Sequence, residues 1–101
     1  MATRSYRRVD FKALRREIQI EAVCDLLGIQ LKRMANGQMR GHCIICGHES
    51  ERAFVVTPSV GLFYCFADCK NGGDIIALTA AVKQLTLTGA ARFLVDHLGS
   101  S

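Results

Sequence analysis

Four of the five cysteines in this 101-residue chain fall into two close pairs. Cys43-Ile44-Ile45-Cys46 is a C-x2-C pair, and Cys65-Phe66-Ala67-Asp68-Cys69 is a C-x3-C pair, with eighteen residues between them. Two such pairs are the pattern of a structural zinc site. Zinc has no ligand-field preference and accepts four soft thiolates tetrahedrally, so two turns can each offer two ligands and be clamped together. Gly47, directly after the first pair, suits a tight turn that aims backbone N–H groups at the sulfurs. The sequence therefore predicts one structural Zn2+ on Cys43, Cys46, Cys65 and Cys69. His48, two residues beyond Cys46, is an alternative ligand; the expectation is a surface imidazole, and His42 and His97 are weaker alternatives still. Cys24 lies among Val23 and Leu27 in a helical pattern and reads as a small buried apolar residue outside the metal shell.

Other cysteine chemistries fit less well. An odd count argues against a disulfide scaffold. A dithiol redox site needs a single exposed C-x-x-C with a thiolate of lowered pKa at a helix N-terminus, and here a second pair stands at zinc spacing. Catalytic zinc needs an open coordination position and usually His or carboxylate ligands, whereas four cysteines close the shell. No catalytic residue is assigned.

The formal net charge is +4. Four bound thiolates and one divalent ion would bring the loaded domain to about +2, since the ligands must deprotonate. Six of the thirteen Lys and Arg residues precede position 17, where Asp10 is the only acid, so residues 1–9 read as a basic arm. No stretch approaches the roughly 20 continuous apolar residues of a membrane span. No apolar run follows Arg4, Arg7 and Arg8, so a secretory signal is not indicated and a soluble, cytoplasmic protein is expected.

The elements that must position the cysteines follow from periodicity and turn chemistry. Asp10 can cap a helix carrying Phe11, Leu14 and Ile18, and a second helical stretch runs from Ile20 to Leu27 before Gly28, as one helix or two. Ile29, Leu31 and Arg33 alternate with Gln30 and Lys32, and Asn36-Gly37 is a hairpin signal that turns the chain back through Arg40 to Cys43. Ala53 to Thr57 reads as a strand, Pro58 to Gly61 as a turn, and Leu62 to Phe66 as the return strand carrying Cys65. After Gly72-Gly73, Asp74 can cap a helix from Ile75 to about Gln84, and another follows Thr86-Leu87-Thr88, burying Ala91, Leu94 and Leu98. The predicted architecture is α+β: a zinc ribbon with a small antiparallel β-sheet, flanked by helices, as a single domain over residues 10–98 with a disordered tail at 99–101.

Asp10 to Phe93 resembles the amino-terminal CHC-type zinc-binding domain of bacterial DnaG-type DNA primases. The residues that carry the resemblance are Ile20-Glu21-Ala22-Val23, Arg40-Gly41-His42-Cys43, Ala53-Phe54-Val55-Val56, Phe63-Tyr64-Cys65-Phe66, Cys69-Lys70-Asn71-Gly72-Gly73-Asp74-Ile75-Ile76, and the closing Leu87 to Leu94 stretch. Two departures stand out. The family usually has His where this chain has Cys46, and its last pair is usually separated by two residues rather than three. Phage-type primase zinc ribbons look similar with four cysteines, so the departures imply a divergent relative of phage or mobile-element type. The resemblance implies a domain tethered to a TOPRIM-type RNA polymerase domain and engaging single-stranded DNA template. The nine acids of this chain are scattered singly, with no cluster for nucleotidyl transfer, so primer synthesis is expected only with a separate catalytic domain.

Single-stranded nucleic acid is held by positive charge along its backbone and by aromatic faces that stack on bases. Strand alternation puts Leu62, Tyr64 and Phe66 on one face and Phe63 and Cys65 on the other. Tyr64 is expected to be the exposed ring, with Arg33, Arg40, Arg52 and Lys70 around it. A different class of function is a stand-alone zinc-ribbon module that docks a replicative helicase or another replication protein.

Overall fold

The computed structural model describes residues 11–47 and 49–98. The basic arm, the Asp10 cap, His48 and the tail at 99–101 lie outside the described residues. The chain begins with α1 (Phe11–Glu17) and α2 (Ile20–Leu27), separated at Ile18 and Gln19. Gln19 is extended (φ −84°, ψ 143°) and provides no side-chain cap, so the two helical stretches are distinct. Gly28 ends α2 in the left-handed region at φ 77°, the conformation a C′ glycine adopts without a Cβ penalty.

Five strands follow as an antiparallel meander in chain order: β1 (Leu31–Arg33), β2 (Met39–Gly41), β3 (Phe54–Thr57), β4 (Leu62–Cys65) and β5 (Gly72–Gly73). The β1–β2 turn places Gly37 at φ 92°, with its N–H donating to the Met34 carbonyl at 3.0 Å. The Met34 N–H donates to the Gln38 carbonyl at 2.7 Å, so Asn36-Gly37 sits in a three-residue loop and not in a two-residue one. The fifth strand is not among the elements expected from the sequence, where Gly72-Gly73 only precedes the Asp74 cap. Glycine makes this strand possible: a Cβ on Gly72 would lie 2.7 Å from Cδ1 of Tyr64, its register partner on β4.

Pairing register divides the sheet into two faces. Phe54 and Cys65 form part of one inward row, and Val56 and Phe63 part of another. These side chains join Ile20, Val23, Ile75, Leu78, Ala91 and Leu94 from the helices in one buried cluster. Phe54 and Phe63 stack at 5.5 Å between ring centroids. Two further helices, α3 (Ile75–Lys83) and α4 (Leu87–Leu98), complete this helical layer. Burial alternates along β4, in keeping with the two faces expected for Leu62 to Phe66, whereas Phe54, Val55 and Val56 of β3 are all buried.

Asp74 caps α3 as expected: its Oδ1 accepts from the backbone N–H groups of Ile76 and Ala77, both at 3.0 Å. Its Oδ2 also lies 3.3 Å from Arg15 Nη1, tying α1 to the start of α3. Thr86 caps α4, with Oγ1 accepting from the Gly89 N–H at 3.0 Å. Asp74→Ala should therefore lower stability by about 1–2 kcal/mol while retaining stoichiometric zinc, as measured by urea denaturation and metal analysis. Asp74→Asn, which keeps the capping oxygen, should recover most of the loss.

Candidate metal centre

The sheet delivers the first cysteine of each pair. Cys43 follows β2 by two residues, and Cys65 is the last residue of β4; both are fully buried. The Phe66 N–H donates to the Ala53 carbonyl at 2.7 Å and the Cys65 N–H to the Asn71 carbonyl at 2.8 Å, fixing the backbone on each side of the second turn. The first turn closes through the Gly47 N–H on the Cys43 carbonyl at 2.9 Å, with Gly47 left-handed at φ 71°. Lys70 plays the corresponding part after Cys69, at φ 52°, and its Nζ donates to the Phe66 carbonyl at 3.3 Å.

The four sulfurs of Cys43, Cys46, Cys65 and Cys69 all lie within 4.8 Å of one another. Across the two turns, Cys43 Sγ is 3.6 Å from Cys69 Sγ, and Cys46 Sγ is 3.8 Å from Cys65 Sγ. A tetrahedron with metal–sulfur arms of about 2.3 Å has edges of about 3.8 Å, so these two pairs stand at the separation that one zinc ion demands. Burial pushes the Cys43 thiol up to about 12 and moves Cys69 upward as well. Against that burial, the N–H groups of Cys46 and Ile45 donate to Cys43 Sγ, and that of Asn71 donates to Cys69 Sγ. The Ala67 N–H donates to Cys65 Sγ at 3.3 Å. Backbone donors of this kind favour the thiolate, and a divalent cation at the centre replaces the protons altogether. The tight-turn donors expected from Gly47 are thus present, supplied by the residues just before it.

Cys24 is separate from this cluster, 2% exposed on the core face of α2. The backbone of this domain matches known proteins. A family model for the CHC2 zinc finger matches residues 6–101. The chain belongs to the CHC2 zinc-finger family. A DNA primase from Streptomyces coelicolor is 34% identical over 90 residues, covering 89% of this chain and 14% of the primase. The crystal structure of the Aquifex aeolicus primase, comprising zinc-binding and RNA polymerase domains, superposes with a TM-score of 0.78 at 29% identity, over 93% of this chain and 22% of that one. The chain thus spans a small part of the primases it matches. It is a DnaG-type primase zinc domain in a four-cysteine form and carries one structural zinc.

Around this CHC2 centre, the residues expected to meet nucleic acid separate into two groups. Arg40 and Tyr64 belong to one row across the outer sheet face, running Lys32, Arg40, Val55, Tyr64, Gly72. Arg40 Nη1 donates to the Arg52 carbonyl at 3.0 Å, and Lys70 reaches the backbone of Phe66. Arg33, one residue from Lys32, falls in the inward row with Met39, Val56 and Phe63, and its Nη2 sits 3.5 Å from Glu21 Oε2. Two outer-face residues were not singled out from the sequence as contacts, although alternation places both. Phe66 is 60% exposed against 38% for Tyr64, and the two rings meet edge to face at 4.7 Å. Lys32 stands directly opposite Arg40.

Replacing any of Cys43, Cys46, Cys65 or Cys69 by Ser should drop zinc content well below one per chain and unfold the domain, as should a strong chelator, because metal binding of the order of 10 kcal/mol is folding free energy. Cys24→Ala should keep one zinc by elemental analysis. Burial, followed by Asp25 and Glu21, pushes the Cys24 thiol up from 9.0 to about 12. A folded-state value above the unfolded one adds stability that is fully present below pH 9 and is lost as the pH climbs toward 12. The stability gap between the parent and Cys24→Ala should therefore narrow between pH of about 9 and about 11, as read by denaturant titration.

Proposed function

We propose that this domain holds single-stranded DNA template on its outer sheet face, as part of a DNA primase or primase-like replication protein that makes RNA primers. The observation that carries the reading is the register row itself. It sets two cations and an aromatic ring across the outer sheet face, with the buried Val55 between Arg40 and Tyr64, and a second ring, Phe66, against the first. Neighbouring strands lie about 4.8 Å apart, so Arg40 and Tyr64 are separated by about 10 Å. A strand can therefore stack a base on Tyr64 or Phe66 while a phosphate one or two units along meets Arg40 or Lys32. Arg52, whose carbonyl meets Arg40, and Lys70, whose ammonium group meets the Phe66 carbonyl, would add positive charge to this face.

Gly72 supports the platform, because the Tyr64 ring lies over a backbone with no side chain. Polymerisation belongs to a separate TOPRIM-type domain, and the two primases named above support that assignment, since each is much longer than this chain. No helix among the described residues is long and apolar enough to cross a membrane, in keeping with work in the cytoplasm, where zinc thiolates stay reduced.

Fluorescence anisotropy with labelled single-stranded oligonucleotides tests this reading. Affinity should fall with salt, each lost phosphate contact contributing a slope of about 0.7 in log–log form. Tyr64→Ala should cost about 1–3 kcal/mol, and Arg40→Ala should flatten the salt slope by roughly one contact. Absence of binding even at low ionic strength would overturn it and favour a module that docks a helicase or another replication protein.

A further inference from the structure

At the β1 edge of the sheet, the outer face deepens into a cavity of about 340 Å³ that the strand-binding row only borders. Its walls carry Lys32, Arg40, Arg52 and His42, with Glu51 as the one carboxylate and Met34 at the apolar side. Neither ion pair found among the described residues involves any of these groups. Lys32 and Arg40 are register partners on adjacent strands, and like charges set directly opposite one another destabilise a sheet. An anion between them turns that repulsion into attraction.

The backbone holds these charges in place. Arg40 is anchored through one guanidinium nitrogen to the Arg52 carbonyl at 3.0 Å, which leaves most of its five N–H donors for another acceptor. The Arg52 N–H is tied to Ser50 Oγ at 3.2 Å, fixing the segment that carries the third cation. A Cβ on Gly41 would collide with the Gln30 carbonyl oxygen, so the bare glycine lets β2 and the approach to β1 close together at the cavity floor.

We propose that this cavity binds the clustered phosphates of a nucleotide terminus, either a free nucleoside triphosphate or the 5′-triphosphate end of a strand. A phosphodiester backbone offers one charge per unit, strung out along its length. Three cations around one small enclosure instead match several charges at one point, and the volume lies at the lower end of the range for small-ligand sites. Arginine forks match phosphate oxygens bidentately. The proposal deepens the template-binding reading, because Lys32 and Arg40 belong to both, yet the two can fail separately.

The test compares zinc-loaded chain binding the same short oligonucleotide with a 5′-triphosphate and with a 5′-hydroxyl, followed by titration with tripolyphosphate, ATP and adenosine under NMR observation. The triphosphate end should bind about tenfold more tightly, and Lys32→Ala or Arg52→Ala should collapse that ratio toward one with zinc content retained. Tyr64→Ala should weaken both oligonucleotides and leave the ratio standing. ATP moving the Lys32, Arg40 and Arg52 resonances where adenosine does not would identify free nucleotide as a source; an effect confined to the 5′-triphosphate strand would identify the chain end. Should neither oligonucleotide bind while tripolyphosphate still moves those resonances, the template reading falls and the cavity stands. Equal affinity for the two ends, with no response to tripolyphosphate or ATP, would overturn the proposal.

Discussion

Four sulfurs within 4.8 Å of one another cannot all be ionised in a protein interior unless a cation stands among them. The fold around them is arranged to make that cation's binding strong. One turn leaves β2 and the other leaves β4, and the β3 strand between them holds both supports at a fixed distance through its ladders on either side. A sheet of this size, with one strand of two residues, gains little from its own pairing. The metal and the helical layer complete it, and a zinc contribution of the order of 10 kcal/mol is comparable with the whole stability of an ordinary domain.

The departures from the usual family pattern are accommodated locally. Cys46 stands where His is usual and reaches within 3.8 Å of Cys65, so a shorter side chain still meets the tetrahedral edge. The extra residue in the second pair widens its turn. Lys70 then takes the left-handed conformation that Gly47 takes in the first turn, at a cost glycine does not bear. Its ammonium group bridges back across the widened turn to Phe66, linking the metal knuckle to the most exposed aromatic ring of the outer face.

That outer face owes its character to the same alternation that builds the core. Every residue sent inward from β3 and β4 to meet the helices sends its neighbour outward, and the outward set contains Tyr64, Leu62 and Val55. Val55 is nonetheless only 5% exposed, lying between Arg40 and Tyr64 in the row. The aliphatic stem of a long cation can cover apolar surface while its charged head stays in water, so this face is at once apolar and positive.

Chemistry that depends on short spacing was already present in the sequence. Cys43, Cys46, Cys65 and Cys69 announced the metal because zinc ligands come in close pairs on tight turns, and Asp74 announced a helix start because its side chain answers N–H groups two and three residues on. Strand alternation likewise set Phe63 and Cys65 on one face and Tyr64 and Phe66 on the other, with Tyr64 the expected exposed ring, while packing against the helices made the Phe63 and Cys65 face the buried one. What tertiary structure alone decided was register and partnership. Arg33 and Lys32 are adjacent in the chain, yet one meets Glu21 on the helical side and the other faces Arg40. The glycine pair became a fifth strand only because β4 was there to pair with it. Which cations share a cavity depends on how far one strand slides against the next, a quantity set by packing of the whole sheet and carried by no single stretch of residues.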